Sequence, residues 1–142
     1  MKISVIGCGY LGAVHAASMA ELGHDVVGID VDGPKVEALQ NGRAPFYEPG
    51  FEELLGRSIA SGRLRFSADM ADASEAVLHF VCVGTPQKRG EYAADMRYVQ
   101  GAVESLLGVL APGELVVGKS TVPVGTAAQL ADLVSKIGRA HV

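Results

Sequence analysis

Residues 2–19 read KISVIGCGYLGAVHAASM, and three glycines in this stretch decide the fold. Gly7, Gly9 and Gly12 stand between a β-branched run, residues 2–7, and a segment whose Ala13, Ala16, Ala17 and Ala20 share one helical face. The spacing Gly-x-Gly-x-x-Gly is weak evidence alone, because a chain with 18 glycines can produce it by accident. Its surroundings are more specific. The motif leaves a strand and opens a helix, and a second apolar run, residues 25–30, ends on an acid 18 positions beyond Gly12. In such a setting Gly7 permits a tight turn, Gly9 lets backbone approach a pyrophosphate, and Gly12 lets the helix lie close to the sheet. The unpaired amides and positive end of the helix face the anion. Asp30 can accept hydrogen bonds from a ribose diol, and its charge opposes a 2′-phosphate. NAD is therefore expected over NADP, with the nearby Lys35 softening the exclusion.

Working outward, further strand-length runs fall at 63–66, 76–84 and 114–120. Their continuous apolarity suits strands buried on both faces. Helix-period segments separate them. The first, 34–41, opens on Asp32-Gly33-Pro34 and stops at Asn41-Gly42. The second, 50–61, carries Phe51, Leu54, Leu55, Ser58 and Ile59 on one stripe. The third, 95–110, carries Met96, Val99, Val103, Leu106, Leu107 and Leu110. The last, 126–137, carries Ala127, Leu130, Val134 and Ile137. This alternation predicts a doubly wound, mostly parallel α/β sheet of the Rossmann type, with residues 1–142 as one NAD-binding domain. The closing GRAHV, where His141-Val142 begins another strand, reads as a boundary within a longer protein.

Composition narrows the function. With 12 Lys and Arg against 16 Asp and Glu, the net charge is −4, and Lys88-Arg89 is the one short basic pair, which argues against nucleic acid or an acidic membrane as partner. No apolar run approaches the roughly 18 residues of a membrane span. Cys8 and Cys82 lie far apart, as two free thiols in a reducing compartment would, and a cytoplasmic location is expected. Cys8 reads either as a reactive thiol at a helix N-terminus or as a small residue that fits beside the cofactor; Cys82 reads as core. His15, His24, His79 and His141 are scattered without an acidic helper, so no metal site is expected. The stretch APFYEPGFEELL, 44–55, is either a helix entry or a loop that approaches substrate. VGTP (83–86) and KSTVPVGT (119–126) follow the fourth and fifth strands, where ligands bind in such sheets.

In order, GCGYLG, GID followed by Lys35, PFYEPG, VCVGTP, ADMRYV and KSTVPVGT resemble the N-terminal domain of the UDP-glucose/GDP-mannose dehydrogenase family over residues 2 to about 137. KSTVPVGT and PFYEPG resemble its UDP-glucose branch more than its GDP-mannose branch. The resemblance implies an NAD-dependent, four-electron oxidation of a UDP-sugar primary alcohol to a carboxylate. By matching positions it implies Tyr10 and Leu11 beside the pyrophosphate, Asp30 and Lys35 at the adenosine ribose, and Thr85 on the cofactor beyond the fourth strand. Thr121 falls near the nicotinamide and is the catalytic candidate.

Departures count too. Leu11 stands where the family usually has Val, and no residue of the basic loop QKRGEYA (87–93) is assigned. The family's nucleophilic cysteine, catalytic lysine and most of its sugar-nucleotide site fall in later segments, as do the contacts of its homodimer, so this chain could be monomeric. Alcohol-to-acid oxidation by hydride acceptors needs a covalent thiohemiacetal and an activated thiol. Neither Cys8 nor Cys82 matches that nucleophile, so the chain alone is expected to bind NAD without turnover. Other readings are a GDP-mannose or UDP-N-acetylhexosamine dehydrogenase, a stand-alone NAD-responsive module, or another Rossmann oxidoreductase, which KSTVPVGT disfavours.

Overall fold

Four of the five residues of the first strand, β1 (Lys2–Ile6), are buried, as are four of the five in β2 (Asp25–Ile29), so both strands are covered on two faces. The computed structural model describes the backbone of residues 1–137 and 140–141, and side-chain surroundings for residues 1–135. After β1 come α1 (Tyr10–Glu21), β2, α2 (Gly33–Gln40), α3 (Phe51–Ala60), β3 (Leu64–Ser67), β4 (Leu78–Val81), α4 (Arg97–Leu107), β5 (Glu114–Gly118), α5 (Thr126–Ile137) and β6 (Ala140–His141). A 3-10 turn at Met70–Ala73 precedes β4. The strands form one sheet in the order β3-β2-β1-β4-β5-β6, and every neighbouring pair is parallel. This is the doubly wound architecture the alternation predicts. Strand order reverses between β1 and β4, which opens a crevice at their carboxyl ends.

Helix α1 has no bulky residue on its inner face: Gly12, Ala13, Ala16, Ala17 and Ala20 are its buried positions. With α3 it covers one side of the sheet, where Leu39, Phe51, Leu55, Leu64 and Phe66 join the core. Val103, Leu106 and Leu107 of α4 and Val134 of α5 cover the other side against Ile6, Val81 and Val116. Helix α2 starts where its sequence says: the Asp32 side chain accepts from the Lys35 amide at 3.1 Å, and proline occupies the first turn.

Several sequence expectations need correction. β4 spans 78–81 rather than 76–84, because its ladder is limited by the five residues of β1 and the chain then leaves the sheet, with 82–86 in irregular structure. α4 spans 97–107 rather than 95–110, although Leu110 remains 4% exposed, its amide bonded to the Leu106 carbonyl. Ala127 is exposed and does not belong to the buried stripe of α5, which Leu130 and Val134 carry; the Ile137 side chain lies outside the described residues. The strand expected at His141-Val142 is present as Ala140–His141 beside β5, while Gly138, Arg139 and Val142 lie outside the described residues.

Candidate functional site

The glycine loop joins β1 to α1 at the crevice, and its three glycines meet three different constraints. Gly7 has φ +91°, a left-handed conformation, and donates its amide to the Ile29 carbonyl at 2.8 Å. A Cβ on Gly12 would lie 1.7 Å from the Gly7 carbonyl oxygen, closer than any two non-bonded atoms can sit. At Gly9 a Cβ would meet nothing within 4 Å, so the surface above it is open. Gly9 is the N-cap of α1, no side chain caps the helix, and no acid stands in its first turn. First-turn amides of an α-helix have no partner inside the helix, so this end is suited to an anion. The open face over Gly9 is room that a side chain would fill, and a dinucleotide's pyrophosphate fits there. Tyr10 and Leu11, 54% and 45% exposed, flank it.

Asp30, just past β2, is 8% exposed and held from three directions. The Cys8 amide donates to its Oδ2 at 2.7 Å, the Asp32 amide to its Oδ1 at 3.0 Å, and Lys35 Nζ pairs with Oδ2 at 3.1 Å. A loop residue therefore fixes the carboxylate. The side chain of Cys8 points away into the core, with Sγ 3.5 Å from the Ile29 carbonyl and no exposed surface. Burial first, then the Asp30 charge, pushes this thiol far above its ordinary value. Of the two readings of Cys8, the reactive thiol falls, and the small residue packs beneath the loop as core rather than beside a ligand. Burial likewise pushes the Cys82 thiol up, to about 11.

Across the switch point, the loops after β4 and β5 are stitched together. Thr85 Oγ1 donates to the Thr121 carbonyl at 2.8 Å, Ser120 Oγ donates to the Val83 carbonyl at 2.8 Å, and the Lys119 amide bonds the Val81 carbonyl at 2.9 Å. Thr85 and Thr121 are thus brought to one place, on the opposite side of β1 from Asp30 and Lys35. The segment 87–95 folds back on itself, with the Lys88 amide on the Ala93 carbonyl and the Asp95 amide on the Pro86 carbonyl. Asp95 then grips Arg97 at 2.9 and 2.5 Å, and that guanidinium holds its carboxyl down at about 2. A cleft of about 760 Å³ lined by Pro86, Lys88, Arg89, Asp95, Arg97 and Tyr98 lies beside this loop; neither the glycines nor Asp30 line it.

Two groupings were not visible in the sequence. PFYEPG lies against the glycine loop, because the Tyr10 hydroxyl donates to Glu48 Oε2 at 2.6 Å and the Tyr10 and Phe46 rings meet with centroids 5.0 Å apart. His79 does have an acidic partner, contrary to expectation: its Nε2 lies 3.1 Å from Glu114 Oε2, and its Nδ1 lies 2.7 Å from Ser4 Oγ. No spacing rule flags Glu114; it follows from β5 pairing in register beside β4. His15, by contrast, packs edge-on against Phe80 at 4.4 Å with Nε2 unpartnered. Among the described residues no group of three His, Cys, Asp or Glu could hold a metal ion, and no helix is long and apolar enough to cross a membrane.

A glycine loop of this geometry, an acid fixed at the end of the second strand and the order 3-2-1-4-5-6 define a dinucleotide-binding doubly wound domain. The chain belongs to the UDP-glucose/GDP-mannose dehydrogenase family, matching that family's NAD binding domain over residues 1–141. It is 46% identical over 127 residues to UDP-glucose 6-dehydrogenase of Rhizobium meliloti, covering 89% of this chain and 29% of the relative. It is 42% identical over 135 residues to GDP-mannose 6-dehydrogenase of Pseudomonas savastanoi pv. phaseolicola, covering 92% and 30%. The solved UDP-glucose dehydrogenase of the archaeon Pyrobaculum islandicum superposes with a TM-score of 0.90 at 43% identity, over 96% of this chain and 33% of that one. The chain thus spans about a third of the length of the relatives it matches.

Proposed function

We propose that this chain presents NAD to a nucleotide sugar, with UDP-glucose as the favoured one, in a cytoplasmic dehydrogenase whose catalytic thiol lies outside these 142 residues. The observation that carries the cofactor assignment is the join between Asp30 and the glycine loop: the Cys8 amide clamps the acid 2.7 Å away while the face over Gly9 stays open. Gly7, Gly9, Tyr10, Leu11 and Gly12 would hold the pyrophosphate, and Asp30 and Lys35 the adenosine ribose. Thr85 and Thr121, joined by their hydrogen bond, would hold the far half, with Thr121 close to the reacting centre. NAD, when bound, supplies a hydride acceptor. The sugar assignment is supported by 46% identity to a relative named for UDP-glucose, and 42% identity to one named for GDP-mannose supports that sugar as the second reading. Both thiols of the chain are buried and held protonated, which supports placing the nucleophile elsewhere.

Calorimetric titration tests the cofactor reading. NAD should bind at least about tenfold more tightly than NADP, because a 2′-phosphate would meet the Asp30 carboxylate. Asp30→Ala removes the repulsion and leaves the Lys35 ammonium unpaired beside the ribose, so the preference should shrink or invert. Equal affinities in the unmodified chain would defeat the role given to Asp30. Mixed with NAD and UDP-glucose, the chain should produce no absorbance of reduced cofactor; measurable reduction would place a working nucleophile within these residues. Parallel assays of the enzyme that carries this domain, with UDP-glucose and GDP-mannose, decide between the sugars.

A further inference from the structure

Tyr10 is the first residue of α1, and its side chain is held from two sides. Glu48 Oε2 accepts its hydroxyl at 2.6 Å, and Phe46 meets its ring edge-on at 69°. Phe46 in turn stacks on Phe51, with centroids 5.2 Å apart, and Phe51 is 3% exposed, inside the core. Contacts therefore run without a break from the core, through the loop at 44–50, to the opening turn of α1. The loop has its own anchors: the Ala44 amide donates to Glu52 Oε1 at 3.0 Å, and the Phe51 amide to the Glu48 carbonyl at 3.1 Å. It can thus act on Tyr10 without being defined by it. The Glu48 carboxylate also keeps the Tyr10 phenol above its ordinary value, so the hydroxyl remains a donor.

We propose that Glu48 is a positioning residue for the dinucleotide: by holding the Tyr10 hydroxyl while Phe46 braces the ring, it fixes the first turn of α1 at the place where the pyrophosphate is received. The inference rests on reading the glycine loop as the pyrophosphate cradle. Tyr10 carries one of the first-turn amides, so its orientation is felt by the bound anion. The hydrogen bond has a second effect, because a carboxylate released from Tyr10 would be a free negative charge beside an anion site. Removing the Tyr10 hydroxyl frees both the turn and this charge, and removing Glu48 frees the turn alone, so either change should weaken binding, and removing both should cost little more than removing one.

Titration of NAD into Glu48→Ala, Tyr10→Phe, the double variant and Glu48→Gln tests this, with thermal melts of each. Both single variants should bind NAD about three- to tenfold more weakly, the double variant no more than about twofold weaker than either, and Glu48→Gln within about twofold of the parent. Melting temperatures should move little, since the Tyr10–Glu48 pair is exposed. Adenosine, which lacks the pyrophosphate, should bind all five chains alike. Unchanged NAD affinity in Glu48→Ala, or single effects that multiply in the double variant, would overturn the inference while leaving the cofactor reading intact. An unmodified chain that gives no binding with NAD would overturn both.

Discussion

Gly12→Ala should cost the folded chain at least about 3 kcal/mol, whereas Gly9→Ala should cost about 1 kcal/mol or less and weaken NAD binding by about tenfold or more. The two substitutions add the same methyl group three residues apart, and the surroundings decide the difference. On Gly12 the new Cβ would lie 1.7 Å from the Gly7 carbonyl oxygen and 3.2 Å from the Cys82 Cβ. Neither neighbour is a flexible side chain. Gly7 is fixed by its own positive φ and by its bond to the Ile29 carbonyl, so relief requires α1 to lift from the sheet and expose Ala13, Ala16 and Ala17. On Gly9, with φ −69° and ψ −165°, alanine fits the backbone and meets nothing within 4 Å. Its stability cost is the poorer N-cap alone, while its methyl group stands where the anion is proposed to approach. Circular-dichroism melts and NAD calorimetry on both variants check this. A Gly12→Ala chain that melts with the parent would contradict the geometry, and a Gly9→Ala chain that binds NAD unchanged would contradict the cradle.

Those three glycines show why the fold was legible. Their tasks are local, within one turn, and sequence spacing reports local geometry directly. Ala13, Ala16, Ala17 and Ala20, and the stripe through Val99, Val103, Leu106 and Leu107, were readable for the same reason: helical period is a property of neighbours. The contact of Cys8 with Asp30 was half legible. Spacing put the acid at the end of β2, but not the amide that clamps it, because that bond depends on the path of the loop between β1 and α1. Tyr10 and Glu48 are 38 residues apart, and His79 and Glu114 are 35 apart. Pairs of this kind exist only once helices and strands have been placed, and no periodicity announces them. Cys8 was ambiguous because a helix N-terminus and a buried side chain are both compatible with its position; the side-chain direction resolves it.

Glu114→Ala should destabilise the chain by about 3 kcal/mol at neutral pH, and the parent itself should lose stability as pH falls below about 6.5. Glu114 Oε2 accepts from the Ala111 amide at 2.8 Å and faces His79 Nε2 at 3.1 Å, so truncation strands two donors at once. The arrangement also fixes the histidine tautomer. A carboxylate only accepts, so Nε2 carries the hydrogen, and in the neutral ring Nδ1 must then accept from the Ser4 hydroxyl. His79 and Ser4 have no exposed surface, and burial lowers the His79 pKa while Glu114 offsets part of that shift. The folded value therefore lies below the unfolded one. Between the two the unfolded chain binds a proton that the folded chain refuses, so stability is complete above about pH 6.5, falls as pH drops through that window, and levels off below the folded value. His15, lowered first by burial and then by Lys119, contributes with the same sign. His79→Gln separates the two, because an amide can donate to Glu114 and accept from Ser4 without titrating. Urea midpoints measured from pH 5 to pH 8 should fall toward acid in the parent, fall less steeply in His79→Gln, and retain the smaller slope that His15 supplies. Equal slopes in parent and variant would mean that the proton taken up on unfolding goes elsewhere. Asp72 and Glu75, whose pKa values are lowered by Ser67 and Lys2, enter only as pH falls from the usual carboxylate range toward their lowered values, so they leave the upper window to the histidines.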